Sequence, residues 1–564
     1  MKDEIAIRRL AVISVAALLA CAACAARAAG PSFLRAGDTW VLSGDSITHI
    51  DLYRQTLQDA VDHFHPGAGI RLINVGRWGQ MTAEAKGKGL EMKPSVVSIM
   101  LGMNNVIHHD YGAVHDFRAS AAAYGEQIRR QVRQYRAQGA EVLLFSPTLT
   151  DETENSYFGP WHTREGLVEY GRAIRRVCDE EQCRYVPVAE DFETAKEEMG
   201  PRETLIPDGV HPYGAGQYAV ARSILHHLAV ARRLPKDGEP RGFDASALPA
   251  HDFAFRAARR FAAAADEPPV LEIAAPAGAG RTRVRWSVEG SAYAGEADLD
   301  LAASPTQTVT LAVPPEALPS GAGRIARLFV SATPADGRAR LAVVDLARVR
   351  VLDMRSGRCG GEVRTSDPRP EGPLVATWTV EEDGPDLWFH GRTFASSFPA
   401  RPKGPAETWM NSSGMNGIMM MLDLRPPERF ADNRFDRDMH MVCFSVLEKP
   451  WCALTLAWIN RSLQSCLYGA AERTEDGYAW RIGLRGFVLD YRRFDVRALD
   501  YFGFNLVFDD DDGKGAMGRY PAMPYPDLAT LTPEHRLNQT IVADRKGVVP
   551  SAGGETTNVG VTAL

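Results

Sequence analysis

Long apolar runs are missing from this sequence: the stretch from Leu10 to Ala20 is only about half of the ~20 residues that a membrane-spanning helix needs. A basic excess is missing too. Lys and Arg number 64 against 71 Asp and Glu, a net charge of −7, which offers no electrostatic footprint for nucleic acid, so no nucleic-acid partner is expected. Cysteine is sparse, with 8 in 564 residues. The six beyond the amino-terminal segment, Cys178, Cys183, Cys359, Cys443, Cys452 and Cys466, show no C-x-x-C or Cys/His spacing for zinc, and no metal or other cofactor is expected. An even number of thiols permits disulfides without fixing their pairing; Cys178 and Cys183 form the best local pair, and buried free thiols are the other reading. What is present is ordinary: 45% hydrophobic, 24% charged, 50 Gly and 35 Pro, which excludes collagen, coiled coil and global disorder. At roughly 150 residues per domain, the length implies three or four domains.

The amino terminus has the three parts of an export signal. Lys2, Arg8 and Arg9 precede the apolar stretch, and Ala26-Arg27-Ala28 supplies a small-x-small cleavage pattern, so residues 1–28 are expected to be a signal peptide. Leu18-Leu19-Ala20-Cys21 also resembles an imperfect lipobox, which would anchor the chain at Cys21. Either way the mature chain is expected outside the cytoplasm, secreted or periplasmic, with no transmembrane segment. Removing residues 1–28 takes away four basic and two acidic side chains and leaves −9.

Over 31–234 the chain alternates short apolar runs with amphipathic ones. Strands are expected at Thr39 to Ser43, Arg71 to Val75, Ser95 to Leu101, Glu141 to Ser146 and Arg184 to Val188, mostly continuous apolar runs of the kind buried on both faces. Helices are expected at Asp51 to Phe64, Phe117 to Gln138, Arg164 to Glu180 and Gly214 to Val230, with apolar residues at spacings of three and four. This predicts a three-layer α/β domain with a parallel sheet, in which reactive residues collect at the carboxyl ends of the strands.

Four blocks stand at those ends. Gly44-Asp45-Ser46-Ile47-Thr48 follows the first strand, and Asn74-Val75-Gly76-Arg77-Trp78-Gly79-Gln80-Met81-Thr82 the second. Gly102-Met103-Asn104-Asn105 follows the third, and Asp208-Gly209-Val210-His211-Pro212 precedes the last helix. Alone, Ser46 reads as a helix cap. The four blocks in this order resemble the SGNH/GDSL hydrolase superfamily over about 200 residues, which implies a flavodoxin-like fold and esterase chemistry. Carried over by motif, Ser46 matches the nucleophile, Gly79 the block-two glycine, Asn104 the block-three asparagine, and Asp208 with His211 the rest of a triad. Gly76 rivals Gly79 as an oxyanion donor, and Asn105 stands where the family often has Asp.

Acyl transfer needs these residue types. A serine hydroxyl is a weak nucleophile until an imidazole takes its proton, and the same imidazole can return it to the leaving alcohol. Asp208 would hold the second ring nitrogen. The N–H groups of Ser46 and Gly79 and the amide of Asn104 would form the oxyanion hole. Trp78 and Trp161 are candidates for a sugar-stacking wall, equally readable as ordinary packing. His49, His108, His109, His115 and His162 read as surface or hydrogen-bonded loop residues rather than metal ligands, and Arg77 as a solvated loop charge.

Beyond Leu234 the texture changes. Residues 235–268 read as a linker or a cover on the first domain. Alternating segments at Thr282 to Val288, Gln307 to Val313, Ile325 to Ala332 and Ala339 to Val344 predict a small β-sandwich over 269–355 that acts as a spacer or packing partner. A second β-sandwich is expected over 370–545, with a tail at 546–564. In it, Met419-Met420-Met421-Leu422-Asp423 and Gly503-Phe504-Asn505 running into Asp509-Asp510-Asp511-Asp512 resemble carbohydrate-binding family 9-like sandwiches. That family's clamp tryptophan after the acidic run is replaced here by Gly518-Arg519-Tyr520-Pro521, and the acidic run itself reads as a solvated hairpin turn.

These features predict an exported serine esterase that removes acetyl or similar short acyl groups from a polysaccharide or oligosaccharide, with a carbohydrate ester as its partner. The alternatives are an esterase or lipase on small or lipid esters, and a catalytically idle glycan-binding protein. If the domains are independent, a chain cut near residue 240 should keep its activity on a small ester.

Overall fold

The computed structural model describes residues 30–564 apart from 110–116, 152–162, 200–202, 208, 245–251, 263–266, 277–278, 319–324, 336, 365–372, 395–416, 426–434, 437–438, 449–450, 460–465, 486–487, 490–491, 494–497, 512–516, 522–540 and 552–554. The signal peptide, Asp208, Trp161, His115 and His162 therefore lie outside the described residues. Among the described residues no helix is long and apolar enough to cross a membrane.

The first domain is built on five parallel strands, β1 (Thr39–Gly44), β2 (Arg71–Asn74), β3 (Val96–Met100), β4 (Glu141–Phe145) and β5 (Arg184–Val186), in the order β2-β1-β3-β4-β5. Every residue of β1 and β3 is buried, which is why these strands read as mostly continuous apolar runs. Between and after them come α1 (Ser46–His49), α2 (Leu52–Phe64), α3 (Met103–His109), α4 (Phe117–Arg136), α5 (Thr163–Glu181), α6 (Val188–Met199) and α7 (Ala215–His227). This is the flavodoxin-like α/β fold that the sequence predicts, and the strand order reverses between β1 and β3, the point at whose carboxyl ends such sheets bind ligands. Helix α6 is a correction: its first residue was read as the end of the fifth strand, but the strand stops before Pro187 and the Ala189 N–H instead meets Ser146 Oγ at 2.9 Å.

The rest of the chain is mainly antiparallel strands in sandwich-like layers. One eleven-stranded sheet runs through both β regions, with the strand Arg340–Asp353 joined to Ile541–Asp544 and onward to Tyr501–Asp511 and Gly417–Asp423. Its strands alternate between two apolar environments. Leu328, Val330, Ala342 and Val344 face the core of the smaller sandwich, and Met420, Leu422, Phe504 and Leu506 that of the larger one. The intervening Phe329, Leu341, Val343, Met421 and Val507 belong to the same apolar cluster as the first domain's core. The run Met419 to Leu422 is apolar at every position because it is covered on both faces.

The strand pairing differs from the expected boundaries at two places and from the expected turn at a third. Residues 546–564, expected as a tail, contain the strand Glu555–Ala563, which pairs along Ala342 to Arg350. The expected linker splits: Arg241 binds Asp38 of the first domain at 2.6 Å, while Ala254–Ala257 pairs with Val270–Ala274 and opens the smaller sandwich. The acidic run is not the turn itself, because the strand Tyr501–Asp511 continues through it and pairs Asp509 to Asp511 with Arg519 to Met517. Among the described residues Cys178, Cys183 and Cys359 are free thiols, so the best local pair is not a disulfide; Cys178 lies in the core of the first domain, and Cys452 lies among residues whose side chains are not described.

A buried polar seam joins the first domain to the long sheet. Arg327, 4% exposed, reaches Gln55 at 2.8 Å, Glu289 at 3.1 Å, Asp59 at 3.3 Å and Asp345 at 3.6 Å. Burial opposes its charge, but Asp59, Glu289 and Asp345 outweigh this and hold it protonated. The Tyr218 hydroxyl of α7 donates to Asp345 at 2.8 Å. His63 of α2 sits between Ser287 Oγ and Ser331 Oγ, both at 2.8 Å, and burial pushes its pKa down to about 3, so the ring is neutral at ordinary pH and pairs as donor and acceptor.

Candidate active site

The site begins where β1 ends. A Cβ on Gly44 would stand 1.9 Å from Thr48 Oγ1 and 2.9 Å from the Met100 carbonyl, so only glycine lets α1 fold back over the strand end. The next residue, Asp45, is the cap: its carboxylate accepts the Ile47 N–H at 3.1 Å. That frees Ser46, whose Oγ lies 2.9 Å from His211 Nε2. The two are 165 positions apart in the chain, and the geometry is that of a hydroxyl beside its base.

Three side chains fix this pair. Asn74, at the end of β2, donates through Nδ2 to the Thr48 carbonyl and to Asp51 Oδ1, both at 2.6 Å, and accepts the Gly76 N–H at 2.8 Å. Tyr53 donates its hydroxyl to Thr48 Oγ1 at 2.9 Å. Gln217, fully buried in the first turn of α7, donates to the carbonyls of Ile47 at 3.1 Å and Pro212 at 3.0 Å and accepts the Tyr53 N–H at 3.1 Å. A single amide thus ties the serine helix, the start of α2 and the histidine loop together. No local pattern marks it, because a glutamine in an amphipathic helix reads as a solvent-facing residue.

The block-two loop crosses the same end of the sheet. Gly79 has φ of +66°, which disfavours residues with a side chain, and its N–H has no partner among the described residues. The rival Gly76 packs against α1, where a Cβ would meet the His49 nitrogen at 2.8 Å, and its N–H is already held by Asn74. Asn104, at the start of α3, donates through Nδ2 to the Gln80 carbonyl at 3.3 Å, which brings blocks two and three into contact. Asn105 Oδ1 accepts both the Thr82 N–H at 3.0 Å and its hydroxyl at 2.7 Å, so the residue that departs from the family pattern ties the two loops together. Trp78 is 51% exposed, with its ring 5.6 Å from His211 and 5.4 Å from His49. His49, the last residue of α1 rather than a loop residue, donates through Nδ1 to the Gly76 carbonyl at 3.2 Å.

Burial pushes the Asp45 carboxyl up to about 6, against the Ile47 N–H and the nearby His211, which lower it. The folded chain therefore holds this proton more tightly than the unfolded chain, where aspartate titrates near ~4. The resulting stability is complete below about pH 4 and is lost as pH rises through about 6. Asp45→Asn keeps a capping oxygen. It is expected to exceed the wild type in stability by up to about 3 kcal/mol above pH 6 and to match it below pH 4. Urea melts at pH 4 and pH 8 check this, and an equal gain at both would contradict the burial argument.

Several solved structures resemble part of this chain. An acetylxylan esterase from Geobacillus stearothermophilus is 23% identical, with 34% of this chain and 95% of that one covered and a TM-score of 0.29. An alpha/beta hydrolase enzyme from the metagenome of Lake Arreo, Spain, is 20% identical, with 36% and 99% covered and a TM-score of 0.31. No curated protein matches the chain. The sequence model of the GDSL-like Lipase/Acylhydrolase family matches residues 42–219, from within β1 to α7, a stretch that holds Ser46, Gly79, Asn104 and His211, so this part of the chain is similar to GDSL-type hydrolases.

Proposed function

We propose that the chain is an exported serine esterase that removes acetyl or similar short acyl groups from a carbohydrate, through an acyl-enzyme on Ser46. The observation that carries this reading is the 2.9 Å contact of Ser46 Oγ with His211 Nε2 at the reversal point of a parallel sheet. His211 takes the hydroxyl proton as Ser46 attacks the ester carbonyl, then gives it to the departing sugar hydroxyl. Water repeats the sequence on the acyl-enzyme and releases the acid. Asp208, three residues before His211, is the proposed partner of the second ring nitrogen. The backbone N–H groups of Ser46 and Gly79 and the Asn104 amide are the proposed donors to the oxyanion, each worth roughly 10²- to 10³-fold in rate. The free N–H of Gly79 supports it over Gly76.

The carbohydrate half rests on the export pattern of residues 1–28, on the β-sandwich layers, and on the exposed Trp78 beside the proposed base. An apolar ring at the mouth suits the C–H face of a pyranose. Trp78→Ala is expected to raise KM for an acetylated oligosaccharide about ten-fold while leaving KM for p-nitrophenyl acetate within about two-fold, since stacking contributes on the order of 1 kcal/mol; equal changes for both substrates would remove Trp78 from sugar recognition. The reading as a whole is tested by acetate release from a panel of acetylated plant, algal and bacterial glycans. Release from at least one polymer is expected, and turnover of lipid esters alone would overturn it.

A further inference from the structure

The larger sandwich has a second face. Its five-stranded sheet turns Trp378, Phe389, Trp480 and Ile482 into the core, which leaves the alternate residues pointing outward. Strand pairing sets these in rows. Glu381, Trp388, Gly483 and Tyr468 lie side by side across four strands, and Thr379, His390, Arg481 and Ala470 form the next row. Gly483 is the reason the surface is flat at this point: the Trp388 indole lies across it, and a Cβ would come within 2.3 Å of the ring. Tyr468, 41% exposed, meets the indole edge-on at 5.8 Å and 78°.

Two guanidinium groups are gathered on this aromatic pair. The Arg481 group lies 3.5 Å from the centre of the Trp388 ring, and the Arg485 group lies 5.8 Å from the same ring and 5.0 Å from that of Tyr468. Neither has a carboxylate partner among the described residues, whereas Glu381 is engaged by His390 Nε2 at 3.2 Å and Glu472 stands one row further along. The Trp388 Nε1–H is likewise without an acceptor among the described residues. Beside this group is a concavity of about 580 Å³ lined by Glu381, His390, Tyr468, Glu472 and Arg481.

Two cations stacked on one aromatic pair repel each other and gain from a shared anion. A planar guanidinium held by stacking presents its remaining N–H groups in a fork that matches a carboxylate. The exposed Tyr468 ring adds a flat apolar wall of the size of a pyranose face. We infer that this outward face binds an acidic sugar, a pyranose bearing a carboxylate, so that the same chain holds a uronate-containing glycan at one place and de-esterifies it at another. The inference rests on the carbohydrate half of the proposed function, and its test is a binding measurement that does not depend on ester turnover.

The full-length Ser46→Ala chain is titrated calorimetrically with polygalacturonate oligosaccharides, neutral xylo-oligosaccharides and inorganic phosphate. The uronate oligosaccharides are expected to bind at least about ten-fold more tightly than the neutral ones, from one or two charge-assisted hydrogen bonds. Arg481→Gln and Tyr468→Ala are each expected to weaken that binding about ten-fold, and in the Ser46 background to leave p-nitrophenyl acetate hydrolysis unchanged. Equal affinity for neutral and acidic sugars, binding of phosphate as tight as that of the uronate, or uronate binding unaffected by both substitutions would overturn the inference. Failure of the esterase reading would appear separately, as absent acetate release by the unsubstituted enzyme.

Discussion

Ser46→Ala is expected to lower kcat/KM on p-nitrophenyl acetate by about 10⁴-fold or more while leaving the melting temperature close to that of the wild type. The asymmetry follows from the local structure. The Ser46 hydroxyl is not the cap of α1, because Asp45 does that work, and its partner is the His211 ring. Removing it deletes the acyl acceptor and takes no backbone hydrogen bond with it. His211→Ala should give a loss of the same order, and the double variant should be no worse than either single one, because nucleophile and base act as a unit. Additive losses would mean that the two contribute separately. A fall in stability parallel to the fall in activity would mean that the contact is structural.

Arg327→Met is expected to destabilise the whole chain by about 3–5 kcal/mol, although residue 327 lies outside the first domain. The methionine fills much of the space but leaves Asp59 and Asp345 buried without their counter-charge. The loss should be felt at the active site as well. Asp345 holds Tyr218, and Tyr218 follows Gln217, the amide that bridges the serine and histidine loops. A chain ending at residue 244 would expose the α2 and α7 faces that now meet Arg327, Phe329 and the serines around His63. It is expected to lack cooperative unfolding and esterase activity, contrary to the expectation from independent domains. A soluble, active fragment, or an Arg327→Met chain that melts with the wild type, would show that the seam is incidental.

The legible parts of this molecule were those with a local pattern. Apolar runs at β1, β3 and β4 gave the parallel sheet because burial on both faces leaves no room for polar alternation, and the four blocks were visible because each sits directly after such a run. The close approach of Ser46 to His211 could then be expected from fold resemblance alone. The seam and the long sheet had no such pattern. Arg327, Asp59 and Asp345 are ordinary charges in the sequence, and only the folded chain brings them within 3.3–3.6 Å. Likewise Glu555–Ala563 looked like a tail because its pairing partner lies some two hundred residues earlier, and long-range pairing leaves no mark on a short polar strand. The motif alone favours Gly79 over Gly76, and the physical reason, that Asn74 holds the Gly76 N–H, is visible only in the folded chain.

The central claim is that Ser46 carries the acyl group because His211 activates it. The most direct measurement is peptide mapping after reaction of the full chain with a fluorophosphonate. The account predicts a single adduct on Ser46, formed rapidly in the wild type, slowed by orders of magnitude in His211→Ala and absent in Ser46→Ala. An adduct on another residue, or labelling of Ser46 at the same rate without His211, would contradict it.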